Sequence, residues 1–72
     1  MDSKKVFSMN LRARMYVGGL KNADISTATG VNIATVSAWT TGKAIPGSVN
    51  LDKLADYFHV PVASLFSEKI EV

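Results

Sequence analysis

Few side chains in this sequence could carry out catalysis. There is a single histidine, His59, and no cysteine, so neither a thiolate nucleophile nor a thiolate metal site can form. Asp52 and Asp56 are four residues apart on one face of a predicted helix, without candidate substrate-binding groups around them. The serines and threonines lack a partnering base. The pattern predicts a chain that is not an enzyme, binds no metal, cofactor or small-molecule substrate, and uses His59 to end a helix.

A second group of residues could bind a partner non-covalently. In a helix that starts at Asn32, positions follow one another at 100°. One side then carries small, uncharged residues, with Ile33 at its flank: Ala34, Ser37, Ala38 and Thr41. The opposite side carries Val36, Trp39 and Thr40, which we predict to be buried. Trp39 shares the helical period of Val36, so packing is the expected role of its ring. The small side is predicted to be the functional surface.

Two short helices separated by Gly30 would position these residues. The first runs from Lys21 or Asn22 to Thr29 and the second from Asn32, a favourable N-cap, to about Thr40. Gly30 permits the positive φ that ends the first helix. Four residues are predicted to face one core from both sides of this hinge: Ile25, Ala28, Val36 and Trp39. This pattern is typical of a helix-turn-helix.

The segment LKNADISTATGVNIATVSAWTTGK, residues 20–43, resembles the helix-turn-helix of the Cro and phage-repressor family of DNA-binding domains. Residues 7–66 follow the pattern of that family without a gap. The resemblance implies an all-α, compact five-helix bundle with a lambda-repressor-like fold. It also implies a sequence-specific binder of double-stranded DNA, a transcriptional regulator of phage or bacterial repressor type that acts as a homodimer on two half-sites and inserts helix 32–40 in the major groove.

The same resemblance assigns individual positions. Asn22 matches the residue at the start of the second helix that contacts backbone phosphate. The base-facing positions of the recognition helix are Ile33, Ala34, Ser37 and Ala38. Thr41 and Lys43 match the following loop, which in the family holds the sugar-phosphate strand. These positions are predicted to form the DNA-binding surface.

The base-facing side departs from the family in its chemistry. Typical members present Gln, Arg or Asn to base edges, whereas this helix presents Ile33, Ala34 and Ala38. Such groups can contact thymine methyls, and Asn32, Thr35 and Ser37 would supply the hydrogen bonds. An apolar patch of this kind suits a partner helix equally well. The alternative hypothesis is therefore a helix-turn-helix protein-protein interaction module that uses Ile33, Ala34 and Ala38.

Three further helices are predicted outside this segment. The first is capped by Ser8 and ends near Val17, the fourth is capped by Ser48, and Pro61 opens the last. Their apolar stripes are Phe7, Leu11 and Met15, then Leu51, Leu54, Ala55 and Phe58, and finally Val62, Leu65 and Phe66. Together with the helix-turn-helix they predict one domain.

The predicted domain spans residues 7–67. Residues 1–6 are interpreted as an N-terminal arm, in which Lys4 and Lys5 could touch DNA. Residues 68–72 are interpreted as a C-terminal tail or the start of a linker, in which Ile70 and Val72 could also belong to a dimer contact.

Charge is distributed unevenly along the chain. The first 44 residues hold six basic and two acidic side chains, a net +4, and the remainder holds two basic and four acidic ones, a net −2. One end of the domain should therefore attract phosphate. No apolar run approaches the roughly 20 residues needed to span a bilayer, and no signal-peptide core follows Met1. These features predict a cytoplasmic protein without a membrane partner.

Overall fold

Five helical segments follow one another in the computed structural model, which describes residues 2–70. They are α1 (Ser3–Gly18), α2 (Asn22–Thr29), α3 (Ile33–Thr40), α4 (Ser48–Phe58) and a 3-10 helix (Val62–Phe66). No strand occurs in these residues, and the all-α prediction is confirmed for them. The predicted count of five helices in the bundle is inexact, since the described residues form four α-helices and the last element is a 3-10 helix. Pro61 and Ser67 are both extended, which leaves only a short segment of five residues between them, and 3-10 helices occur as short segments.

The first helix begins six residues earlier than predicted, at Ser3. A carboxylate oxygen of Asp2 accepts the Lys4 amide at 3.0 Å, so Asp2 and not Ser8 is the N-cap. Ser8 lies inside the helix and is buried, and its hydroxyl donates to the Thr40 carbonyl at 2.9 Å. The predicted arm over residues 1–6 is therefore wrong from residue 3 onwards. The extra turn forms because Val6 is buried against the domain.

The hinge between α2 and α3 has the predicted backbone. Gly30 has a φ of 74° and its amide donates to the Ser26 carbonyl at 2.9 Å. The predicted burial of Ala28 is wrong, because Ala28 is exposed and Thr29 is buried instead. Thr29 is one turn after Ile25, and its hydroxyl donates to the Ile25 carbonyl at 2.8 Å. The hydroxyl is thus satisfied inside the core.

One hydrophobic core joins all five segments. The largest fully buried side chains of the core are Trp39, Phe7, Leu11, Ile25, Leu54, Leu65 and Val36. α1 packs on α3 and on the 3-10 helix, whereas α2 packs on α3 and α4. The rings of Phe7 and Phe66 lie 5.5 Å apart between centroids. The predicted packing role of Trp39 is confirmed, because only 2% of its surface is exposed.

The ends of α4 confirm one prediction and correct another. Gly47 is the N-cap and Ser48 is the first helical residue, so the predicted cap at Ser48 is wrong by one position. No side chain caps this helix. His59 adopts the left-handed conformation with a φ of 57°, as predicted for the residue that ends α4.

The segment after the 3-10 helix is tied back to α1. The side-chain amide of the buried Asn10 donates to the carbonyls of Ser67, at 2.8 Å, and Val6, at 3.0 Å. Of the tail predicted at 68–72, Glu71 and Val72 lie outside the described residues. Across residues 2–70 no helix is long and apolar enough to cross a bilayer.

Candidate nucleic-acid interface

The outer side of α3 is a continuous exposed surface. Ile33 keeps 52% of its surface exposed, Ala34 and Thr35 are also exposed, and Ser37 and Ala38 are half-buried. The other side of the same helix is anchored in the core, because Val36 and Trp39 are buried. The structure therefore brings together the α3 residues that the sequence proposed for contact.

The N-cap of α3 uses part of the hydrogen-bonding capacity on this surface. The side-chain oxygen of Asn32 accepts the Thr35 amide at 2.9 Å, as predicted for a capping asparagine. The amide nitrogen of Asn32 and the hydroxyl of Thr35 make no hydrogen bond within residues 2–70. Asn32 therefore offers a ligand two N–H donors, while its oxygen stabilises the helix.

The loop after α3 is held close to the helix end. Thr41 ends α3, and both its amide and its hydroxyl donate to the Ser37 carbonyl, at 3.0 and 2.8 Å. The Lys43 amide donates to the Ala38 carbonyl at 2.9 Å. The Lys43 side chain is exposed and has no partner among the described residues. The loop thus fixes the base of a free ammonium group beside the C-terminal end of α3.

The first turn of α1 lies against this loop, which the sequence did not reveal. Gly42 has a φ of 80°, and a β-carbon there would lie 3.8 Å from Cβ of Ser8 and 4.0 Å from the Lys4 carbonyl oxygen. The exposed Lys4 therefore stands in the same region as Lys43. Lys4 comes close because its turn is helical and packed, and not through a flexible arm.

Asn22 begins α2 but does not cap it. Lys21 is the N-cap, and its amide donates to a carboxylate oxygen of Asp24 at 2.7 Å. The side chain of Asn22 is half-buried and makes no hydrogen bond within the described part of the chain. Asn22 lines an open groove together with Thr41. Two of the predicted contact residues, from the start of α2 and the end of α3, thus meet on one surface.

Two acidic residues lie on α4, whereas Asp2 caps the turn of α1 that holds Lys4 and Asp24 lies in the first turn of α2. Asp52 and Asp56 are exposed on α4, which packs on α2 and on the 3-10 helix. Residues 2–70 hold no cluster of three His, Cys, Asp or Glu side chains arranged as a metal site. The exposed Lys43 beside the C-terminal end of α3 gives this surface a positive group that suits a polyanion.

Two comparisons with known proteins match this geometry. The sequence model of a family described as "Helix-turn-helix" matches residues 17–65, which include α2, α3 and α4. A transcriptional regulator from Listeria innocua has a crystal structure that superposes with a TM-score of 0.81 and 33% sequence identity over 92% of this chain. The present chain spans 62% of the length of that regulator. No curated protein sequence matches the chain.

Proposed function

Because the chain belongs to the helix-turn-helix family of the Cro and phage-repressor type, we propose that it regulates transcription by binding specific sequences in double-stranded DNA. The family membership also confirms the prediction that the chain is not an enzyme. One observation carries the proposal: α3 is buried on one side at Val36 and Trp39 and exposed on the other at Ile33, Ala34 and Thr35. This accessible side is what a helix needs to enter a groove.

The dimensions of α3 suit the DNA major groove. An α-helix with its side chains is about 10–12 Å in diameter, and the groove is about 12 Å wide. In this position Ile33, Ala34 and Ala38 contact thymine methyls. The donors and acceptors are the Asn32 amide nitrogen and the hydroxyls of Thr35 and Ser37. Sequence specificity then comes from the shape of the DNA and from contacts with thymine methyls more than from bidentate hydrogen bonds to bases.

The backbone contacts come from residues at the two ends of the helix-turn-helix. Asn22 donates its free side-chain amide to a phosphate oxygen, and Thr41 and Lys43 hold the sugar-phosphate strand beside the end of α3. The exposed ammonium of Lys43, which has no partner in residues 2–70, supports this assignment. These contacts set the orientation of α3 and carry no sequence information themselves.

The proposed assembly is a homodimer on two half-sites about one helical turn, roughly 34 Å, apart. One α3 alone covers only a few base pairs, and two copies related by a twofold axis read a longer, palindromic site. Repression, as in the phage and bacterial members that the sequence resembles, is the proposed outcome of binding.

Selection of binding sequences from random duplexes, followed by a salt titration of the selected duplex, tests this proposal. We expect a preferred sequence, and an affinity that falls steeply as the salt concentration rises, since Lys and Arg displace counterions from phosphate. The absence of any preferred sequence at low salt would contradict sequence-specific regulation.

Lys43→Ala sharpens this test. It should weaken binding to all sequences alike, by about tenfold, and lower the slope of log affinity against log salt by about one. Lys53→Ala is the control, since it removes the same charge from α4. Lys53 also donates to the Thr29 carbonyl at 3.1 Å, so thermal unfolding must show that both variants remain folded. A change in sequence preference caused by Lys43→Ala would contradict the assignment to the backbone.

The exposure of Ile33 supports a second candidate function, a protein-protein interaction module. A large apolar side chain that is 52% exposed can anchor the groove of a partner helix. Ile33→Asp would then abolish capture of the partner, whereas Lys43→Ala would have little effect. Heparin, a polyanion that competes with DNA, separates the two functions, because it displaces a DNA complex and leaves an apolar protein complex intact.

A further inference from the structure

The turn between α2 and α3 is held by two hydroxyl groups of α2. The Ser26 hydroxyl donates to the Val31 carbonyl, and the Thr29 hydroxyl accepts the Val31 amide at 3.3 Å. Side chains of the preceding helix therefore bind both backbone polar groups of Val31. Within residues 2–70 the Val31 amide has no other hydrogen-bond partner, so no second group duplicates the contact of Thr29.

The direction of the Thr29 hydroxyl is fixed by its surroundings. Thr29 is only 3% exposed, and its O–H donates to the Ile25 carbonyl at 2.8 Å. Because the hydrogen points at Ile25, a lone pair of the same oxygen is left for the Val31 amide. One buried oxygen thus joins the last turn of α2 to the residue that follows Gly30.

Val31 stands directly before the start of α3. The next residue, Asn32, is the N-cap of that helix. Ile33 and Ala34, two of the proposed base-facing residues, come immediately after it. A contact that fixes the backbone of Val31 therefore fixes where α3 begins relative to α2.

We propose that Ser26 and Thr29 are positioning residues for DNA recognition, whose hydroxyls hold the start of α3 where its short side chains can reach the bases. The inference rests on the proposed function and adds to it what sets the specificity. Methyl contacts depend on van der Waals attraction, and a gap of about 0.5–1 Å forfeits a quarter to a half of it. A long side chain can follow a displaced base through its rotamers, whereas Ala34 and Ala38 cannot. A helix that reads bases with such residues needs a turn that does not move.

Thr29→Val and Thr27→Val make a matched pair of variants. Each replaces a threonine of α2 by a valine of nearly the same shape. The Thr27 hydroxyl donates to the carbonyl four residues earlier, that of Ala23, at 3.0 Å, just as Thr29 donates to Ile25. Thr27 is exposed, however, and its hydroxyl has no contact with the turn among the described residues.

The probes are two fluorescein-labelled duplexes of about 25 base pairs. One carries the sequence selected by the unaltered chain, and the other carries the same bases in scrambled order. Fluorescence anisotropy gives the affinity for each duplex, and the measured quantity is the ratio of the two affinities. This ratio reports specificity, and an unfolded fraction of the protein does not change it, because unfolded chains bind neither duplex specifically.

Thr29→Val should lower the ratio about fivefold by weakening binding to the selected duplex, and Thr27→Val should leave it unchanged. Binding to the scrambled duplex should persist, since phosphate contacts tolerate a displaced α3. Thr29→Ser keeps the hydroxyl and should restore the ratio to within about twofold of the unaltered chain. Ser26→Ala removes the other hydroxyl and should lower the ratio about threefold. The salt slope should stay the same in all four variants, because none removes a charge.

The results that overturn the inference differ from failure of the proposed function. If the unaltered chain does not prefer the selected duplex, the proposed function fails and the inference fails with it. If the unaltered chain does prefer it, but Thr29→Val and Thr27→Val give equal ratios, only the role of the turn is wrong. An equal loss of affinity for both duplexes in Thr29→Val would show that its hydroxyl only stabilises the fold. If circular dichroism shows that Thr29→Val does not fold, the comparison of Ser26→Ala with Thr27→Val decides by the same criteria.

Discussion

The two sides of α3 differ in burial and in chemistry, although they belong to the same eight residues. Val36 and Trp39 on the inner side are at most 2% exposed and fill the centre of the core. Ile33 and Ala34 on the outer side are exposed to solvent. The inner side is constrained by volume, since a well-packed core tolerates little change in shape. The outer side is constrained only by what it binds.

This difference separates stability from recognition within one helix. Substitutions on the outer side should change the partner without unfolding the domain, and substitutions on the inner side should unfold it. A domain of 72 residues has little stability in reserve, so the loss of one large core side chain matters more here than in a larger protein.

The largest expected effect is that of Trp39→Ala. Removing the largest buried side chain should lower the free energy of unfolding by about 3–5 kcal/mol, enough to unfold much of the population. Urea denaturation, monitored by circular dichroism, measures this loss in the free energy of unfolding. Ile33→Ala, on the outer side, is the control and should change stability by less than about 1 kcal/mol. Equal losses for the two variants would show that the two sides are not distinct.

Ala34→Arg should change recognition with little effect on folding. Ala34 is exposed, so a longer side chain meets no core atoms. The free energy of unfolding should change by less than about 0.5 kcal/mol. An arginine at a base-facing position can pair with guanine and should alter discrimination by about 1–3 kcal/mol. Sequence selection with both proteins gives the comparison. An unchanged preferred sequence would remove Ala34 from the groove assignment.

Asn32→Ala should have a smaller effect, and it tests the residue that serves both stability and contact. Loss of the cap to the Thr35 amide should lower the stability by about 1 kcal/mol, which is about 4–8 °C in the melting temperature. Ser48→Ala is the control, because Ser48 caps no helix in this structure. Calorimetry that found the same shift for both variants would contradict the cap assigned to Asn32.

Much of the scaffold was accessible from sequence because its signals are local. Gly30 before a core residue, an asparagine cap at Asn32 and the helical period of Val36 and Trp39 each act within a few residues, and all three are present in the structure. The contact roles of the outer residues of α3 remain predictions, although the surface on which they lie is formed as expected.

The errors occurred where two local signals compete. Asp2 and Ser8 are both good N-caps, and the choice fell to Asp2 because Val6 is buried and the Ser8 hydroxyl bonds to the Thr40 carbonyl. Ala28 and Thr29 are both compatible with the stripe of Ile25, and Thr29 is buried because its hydroxyl is satisfied by the helix itself. In both cases a contact between or within packed elements decided the outcome.

The sequence by itself determined the helix-turn-helix and three of its four predicted core residues, Ile25, Val36 and Trp39, since helical period and a glycine at the hinge are properties of short segments. Only the tertiary structure decided that the first turn of α1 reaches the Lys43 loop and that Arg12, Tyr16, Asn22 and Thr41 line one groove. These residues come from three helices whose relative placement depends on how the core packs around Phe7, Leu11, Trp39 and Leu54. Side-chain packing of this kind is a property of the whole chain and cannot be obtained from any one segment.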